Sequence, residues 1–201
     1  VGGAKLSTST AVAGSSSLFL PGTNGSYVKA TQSNAYFLGT GDFTIEAFVK
    51  TSSATNQVIV GQWDGTNAPG HTIFAVESSG KIGLSLADIG TNGFSLTGGS
   101  GVTDGRWHHV AYTRLANTHT LWLDGANVAS IVSTAPRFVG NLDLYIGQYQ
   151  CCLYWPFNGY IDELRITKGA ALYTTTFVPP STSIYDVSGP ASIPNLKLWL
   201  R

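Results

Sequence analysis

Residues 148–160 read QYQCCLYWPFNGY, which sets the adjacent Cys151 and Cys152, the chain's two cysteines, inside a run of aromatic residues. Neighbouring Cα atoms lie ~3.8 Å apart, below the usual ~4.4–6.8 Å disulfide span, so a Cys151–Cys152 bond would close a strained ring. Two states stay open: that ring, stiffening a loop tip, or two thiols with one packed inward and the other exposed. In either state Tyr149, Tyr154 and Trp155 are candidate ligand-binding residues, because flat aromatic faces suit the C–H face of a sugar or a neighbouring protein subunit. Trp122 is a further candidate. It alternates with Leu121 and Leu123, so it is displayed if the leucines point inward, and the competing fate is packing between layers.

Other chemistry is sparse. The chain has three glutamates, Glu46, Glu77 and Glu163, none of them close together in sequence. His108 and His109 are consecutive on a strand, so they face opposite ways and do not share a metal; one packed and one exposed is expected. No Gly-x-Ser-x-Gly elbow occurs among the serines. If YIDELRI (160–166) alternates strictly, Asp162 shares a face with Leu164 and Ile166 and points toward an apolar layer. A buried carboxylate needs hydrogen bonds, a cation or a metal.

These residues must be positioned by strands. FTIEAFVK (43–50) puts Phe43, Ile45, Ala47 and Val49 on one face and Thr44, Glu46, Phe48 and Lys50 on the other. QVIVGQW, TIFAVES, KIGLSLA, HHVAYTR, HTLWLDG, NLDLYIG and YIDELRIT follow in the same style, and Asp64-Gly65, Ser79-Gly80, Asn92-Gly93, Asp104-Gly105 and Asp124-Gly125 supply turns. Charged residues are only 11% of the chain, and there are 24 glycines. That composition suits strands joined by turns. Eleven basic and eleven acidic residues balance, which argues against nucleic acid or an anionic membrane as partner. The expected fold is all-β, an antiparallel two-sheet jelly-roll sandwich over residues 1–185, with 186–201 a linker and strand-like tail or the start of a following domain. Val1-Gly2-Gly3 at the start reads as a processed or excised piece.

YFLGTGDFTIEAFVKTSS (36–53), DGRWHHVAYTRLANTHTLWLDGANVAS (104–130) and FNGYIDELRITKGAALYTTTFVPPS (157–181) resemble the laminin-G-like, concanavalin A-like jelly rolls of bacterial surface and phage structural proteins. GSSSLFLPGTNGSYVKAT resembles their opening strands, although Phe19-Leu20-Pro21-Gly22 stands where the family often has Phe-Asp-Gly. The resemblance implies a possible structural Ca²⁺ held by Asp162 with carbonyls of the Pro21–Ser26 turn, oxygen-only ligation favouring Ca²⁺ over zinc. The competing expectation is that Asp162 accepts backbone N–H bonds. The resemblance also implies a non-catalytic recognition or structural module of a larger, multimeric extracellular or virion-surface assembly, such as a phage tail, fibre or capsid-surface protein or an adhesin, with glycan binding at a loop rim. The alternative is a glycan-active enzyme or its accessory domain. Glycosidases of this fold cluster their carboxylates as Glu-x-Asp-x-x-Glu, a pattern absent here, so no catalytic residue is expected.

Overall fold

The computed structural model describes residues 1–63, 71–87, 93–134, 142–149, 154–180 and 196–200, with backbone alone for Tyr36, Ala87 and 196–200. Two antiparallel sheets pack face to face, and among the described residues the single helical element is a 3₁₀ turn at Asn34–Tyr36. Strands are numbered in chain order. One sheet runs β1 (Lys5–Ser7), β2 (Ser17–Pro21), β13 (Asn158–Lys168), β4 (Phe43–Lys50), β9 (Trp107–Leu115), β10 (Thr118–Leu123), β11 (Ala126–Val132). Its eighth strand, β14 (Leu196–Leu200), also pairs with β13. The other sheet runs β3 (Val28–Ala30), β12 (Leu144–Ile146), β5 (Gln57–Gln62), β6 (His71–Val76), β7 (Ile82–Ala87), β8 (Phe94–Gly98).

The core follows the two-residue period. Phe43, Ile45, Ala47 and Val49 of β4 point inward, as their alternation predicts, and share one buried cluster with Phe74 and Val76 of β6 and with Ile82, Leu84 and Leu86 of β7. Burying such side chains contributes roughly 1.5–3 kcal/mol each, the main force holding the sheets together. The hairpin between β10 and β11 turns at Asp124 and Gly125, with φ of 49° and 82°. That pair of positive values is what an Asp-Gly turn supplies.

Strict alternation fails once, in β13. Asp162 pairs with Phe48 and Arg165 with Glu46, so three steps on β13 answer two on β4. This is a β-bulge, and Glu163 at its centre has φ of 49°. Ile161, Leu164 and Ile166 all reach the core as a result. Asp162 therefore faces the outer layer, the reverse of what unbroken alternation predicts.

β14 pairs antiparallel with β13, Leu164 opposite Leu200 and Ile166 opposite Leu198, alongside the stretch of β13 that β2 does not reach.

Candidate functional site

On the six-stranded sheet's outer face a cleft of about 320 Å³ opens over β6, β7 and β8. Its floor is set by small residues at outward positions. Ala75 pairs with Gly83, Ile73 with Ser85, and Ser85 with Ser95. Ala, Gly and Ser there leave space that larger side chains would fill, and Trp155 and Asn56 line the sides. Glu77 lies across the floor. A Cβ on Gly83 would come within 2.4 Å of Glu77 Oε1, so this glycine is what lets the carboxylate lie flat. Glu77 Oε2 accepts from Thr97 Oγ1 at 3.1 Å and from Ser79 Oγ at 3.4 Å.

A chain of rings forms the wall. Trp155 meets Tyr149 edge-on at 5.7 Å between centroids, Tyr149 meets Trp63 at 5.2 Å, and Trp63 meets His71 at 5.5 Å. Burial pushes the His71 imidazole down in pKa, so it is neutral at pH 7, and its Nε2 lies 2.9 Å from Ser85 Oγ. Gly61 leaves room for Tyr149, whose Cβ lies 3.3 Å from the position a Cβ on Gly61 would take.

Of the aromatic candidates in the loop, Trp155 and Tyr154 are displayed, at 38% and 58% exposure. Tyr149 is not; it is buried with Val58, Ile73 and Ala75, and it supports Trp155 from behind. Trp155 has φ of 56°. That conformation costs an L-residue roughly 1–2 kcal/mol, and the backbone holds it: Val58 N–H donates to Trp155 O at 2.9 Å, and Phe157 N–H to Gly147 O at 2.7 Å. Cys151 and Cys152 lie outside the described residues.

Trp122 is not displayed either. Leu121 and Leu123 point into the core as expected, but Trp122 is 3% exposed, donates to Thr113 Oγ1 at 2.9 Å and packs against Phe177. Residues 170–180 roof this outer face of the eight-stranded sheet. Tyr173 stacks on Phe177 with centroids 3.6 Å apart, and both rings meet His109 edge-on. Beneath them Glu46 is fully buried: Arg165 donates from Nε at 2.7 Å and from a second guanidinium nitrogen to Oε1, while Oε2 takes Tyr173 OH at 2.5 Å and His109 Nε2 at 3.1 Å. Burial pushes the Glu46 carboxyl up, but His109, Arg165 and Tyr173 outweigh it and hold the pKa below its ordinary value. His109 is thus the packed histidine. His108 lies between two carboxylates, Nδ1 at 2.7 Å from Asp124 and Nε2 at 3.0 Å from Asp104.

Asp162 is 1% exposed, and its oxygens accept N–H bonds from Val12 at 2.8 Å, Ala13 at 3.3 Å and Glu163 at 2.9 Å. The Pro21 end of β2 pairs with Asn158, which sets the Pro21–Ser26 turn roughly 13 Å along the strand from Asp162 at ~3.3 Å per residue. A carboxylate ringed by N–H donors does not fit the all-oxygen shell Ca²⁺ takes. Among the described residues no three His, Cys, Asp or Glu side chains converge as metal ligands.

Sequence reasoning missed Glu77, Gly83, Ser85 and Ser95. The available signal was a set of small or polar residues at the outward positions of consecutive strands.

No curated protein sequence matches the chain. Solved structures share its fold at low identity. Tailspike protein 2 of the Escherichia coli O157:H7 bacteriophage CAB120 aligns with a TM-score of 0.62 at 16% identity, over 86% of this chain and 27% of that one. Domains LG4-5 of the mouse laminin alpha1 chain align at 0.56 and 18%, over 79% and 44%. The CBM40 of a Ruminococcus gnavus IT-sialidase, solved with α2,3-sialyllactose, aligns at 0.51 and 16%, over 67% and 85%. The chain thus spans less than half of the tailspike and laminin chains it resembles. The sequence profile of the laminin-G type described as the Concanavalin A-like lectin/glucanases superfamily matches residues 22–172, three quarters of the chain, and with the two-sheet sandwich this establishes that the chain belongs to that superfamily.

Proposed function

We propose that the chain is a non-catalytic recognition module of a larger extracellular or virion-surface assembly and that it binds glycan in the cleft beside Trp155. The observation that carries this is the pairing of an exposed indole, held in a left-handed backbone conformation, with a floor of small and polar residues. A sugar presents one C–H face and a rim of hydroxyls, and the cleft offers a ring for the first and Glu77, Ser85, Ser95 and Asn56 for the second. The tailspike and CBM40 likenesses are consistent with this reading through fold alone. Hydrolysis of a glycosidic bond uses two carboxyls roughly 5–10 Å apart. The described cleft lining contains one, Glu77, which favours recognition over the enzymatic alternative.

A second reading, contact with a neighbouring subunit, rests on Tyr154, 58% exposed at the same rim. Oligosaccharide-array binding by the chain and its variants tests both. W155A should weaken glycan binding about 30-fold, the ~2 kcal/mol of a central aromatic contact, with the melting transition still cooperative. Unchanged glycan binding by W155A refutes the cleft. A lower oligomeric order for Y154A, with glycan binding intact, selects the subunit contact.

A further inference from the structure

The cleft has a charge character that narrows its ligand, on the reading that it binds glycan at all. Glu77 is the one charged side chain among its described lining residues, and no Lys or Arg joins it. The carboxylate is held in place: Thr97 and Ser79 hydroxyls engage Oε2, while Oε1 lies over Gly83 in the cleft floor. A carboxylate accepts hydrogen bonds and donates none, so the partner it rewards is a hydroxyl or amide N–H. His71, the imidazole on this face, is engaged by Ser85 and depressed by burial, so it brings no positive charge at neutral pH. Asn56, whose Oδ1 accepts from Ser78 N–H at 2.8 Å, is neutral, as are Ser85 and Ser95.

We infer that this cleft selects uncharged, hydroxyl-rich saccharides and rejects acidic ones, with Glu77 Oε1 accepting a ring hydroxyl from a sugar whose C–H face stacks on Trp155. A sialic or uronic acid carboxylate entering here would lose water, meet Glu77 and find no cation among the described lining residues to pair with. Selectivity then comes from rejection as much as attraction. The serine hydroxyls of the floor serve either kind of sugar and do not discriminate.

The test uses the whole chain against neutral hexose and N-acetylhexosamine oligosaccharides, beside the same oligosaccharides capped with sialic acid or containing uronic acid. Wild-type protein, E77Q, W155A and W155F are compared at low and at near-physiological salt. The expected result is that bound saccharides are neutral by about tenfold or more over their acidic counterparts. E77Q should narrow that ratio to about threefold by admitting acidic sugars, and added salt should narrow it in the wild type by screening. W155A should weaken saccharide binding about 30-fold, and W155F, which keeps a ring, should lose less. Preference for acidic saccharides, weakened by W155A, would overturn the charge rule while leaving the cleft as the site. A neutral preference that E77Q leaves unchanged also overturns it. Binding insensitive to W155A, or no saccharide bound at all, removes the glycan-binding reading and this inference with it.

Discussion

Replacing Arg165 by Met tests the buried ion pair under the 170–180 roof. Arg165 and Glu46 side chains are 6% and 0% exposed, and the guanidinium reaches Glu46 Oε1 through two nitrogens. Met keeps much of the aliphatic stem, so the loss is mainly charge. Removing one partner of a buried pair costs about 3–5 kcal/mol, because the other charge stays desolvated. In a domain of this size each kcal/mol moves the midpoint about 2–4 °C, so R165M should melt about 6–20 °C lower near pH 7.5. In the intact protein Glu46 has a depressed pKa, so its contribution is present above the ordinary value of 4.5 and lost as pH falls through the folded value. In R165M the guanidinium no longer opposes burial and the carboxyl pKa rises. Acidification toward about pH 5 then favours protonation of Glu46, and the deficit relative to wild type shrinks. The double variant E46Q/R165M, with no charge stranded, should recover at least about half of the loss. Calorimetry at both pH values decides. A deficit that is the same at the two values, or below about 2 °C near pH 7.5, refutes the claim that this pair holds the outer layer.

Two further perturbations probe the same sheet. Burial lowers the His108 pKa, but the hydrogen bonds to Asp124 and Asp104 outweigh it and the net shift is upward from 6.5; both ring nitrogens face carboxylates, which suits the imidazolium. Its stabilisation is therefore complete below 6.5 and lost as pH rises through the higher folded value, so thermal midpoints between about pH 5.5 and 8.5 should fall in the wild type and stay flatter in H108Q. At Gly125, φ is 82° and a new Cβ would sit 1.8 Å from Phe177 O; G125A should therefore cost more than the roughly 1 kcal/mol of a strained turn and should raise proteolysis near residues 170–180.

How much was legible depended on whether a residue's surroundings were local. The inward set of β4 could be read from alternation because period two and burial on one face are properties of the strand alone. Asp162 could not, because the bulge puts Glu163 in a left-handed conformation without a glycine to announce it. For Trp122 alternation gave the facing, and of the two fates left open, display and packing, the residue takes packing. YTTTFVPP shows no alternation that gives it a place, and its role appears only once Tyr173 and Phe177 stack over the strands. A clue was present: Glu46 and Arg165 lie on outward positions, and in a chain with few charges such a pair invites a cover. Tyr149, a candidate for display, is buried close against Gly61 of β5, a contact that spacing along the chain does not announce. Leu196, Leu198 and Leu200 announced a strand, but the free side of β13 that receives it is a fact of topology.

The two outer faces solve opposite problems. An outward face of a sandwich sheet either meets solvent or is covered, and what it carries must match. On the eight-stranded sheet Glu46, His109 and Arg165 would be ordinary solvated groups if left open; the Tyr173–Phe177 roof turns them into a buried network whose loss is felt as stability. On the six-stranded sheet the outward positions shrink to Ala75, Gly83, Ser85 and Ser95, which contribute little packing and leave a cleft edged by a conformationally costly Trp155. Strain retained beside open space is what the proposed saccharide cleft at this face accounts for. The core lies between these faces, so a charge change beneath the roof has no direct contact with the cleft. R165M should thus lower the melting point without changing saccharide preference below its transition, while E77Q should change preference with the midpoint nearly fixed. That separation is what distant sites with no shared partners give, one face contributing stability and the other, on the proposed reading, saccharide preference.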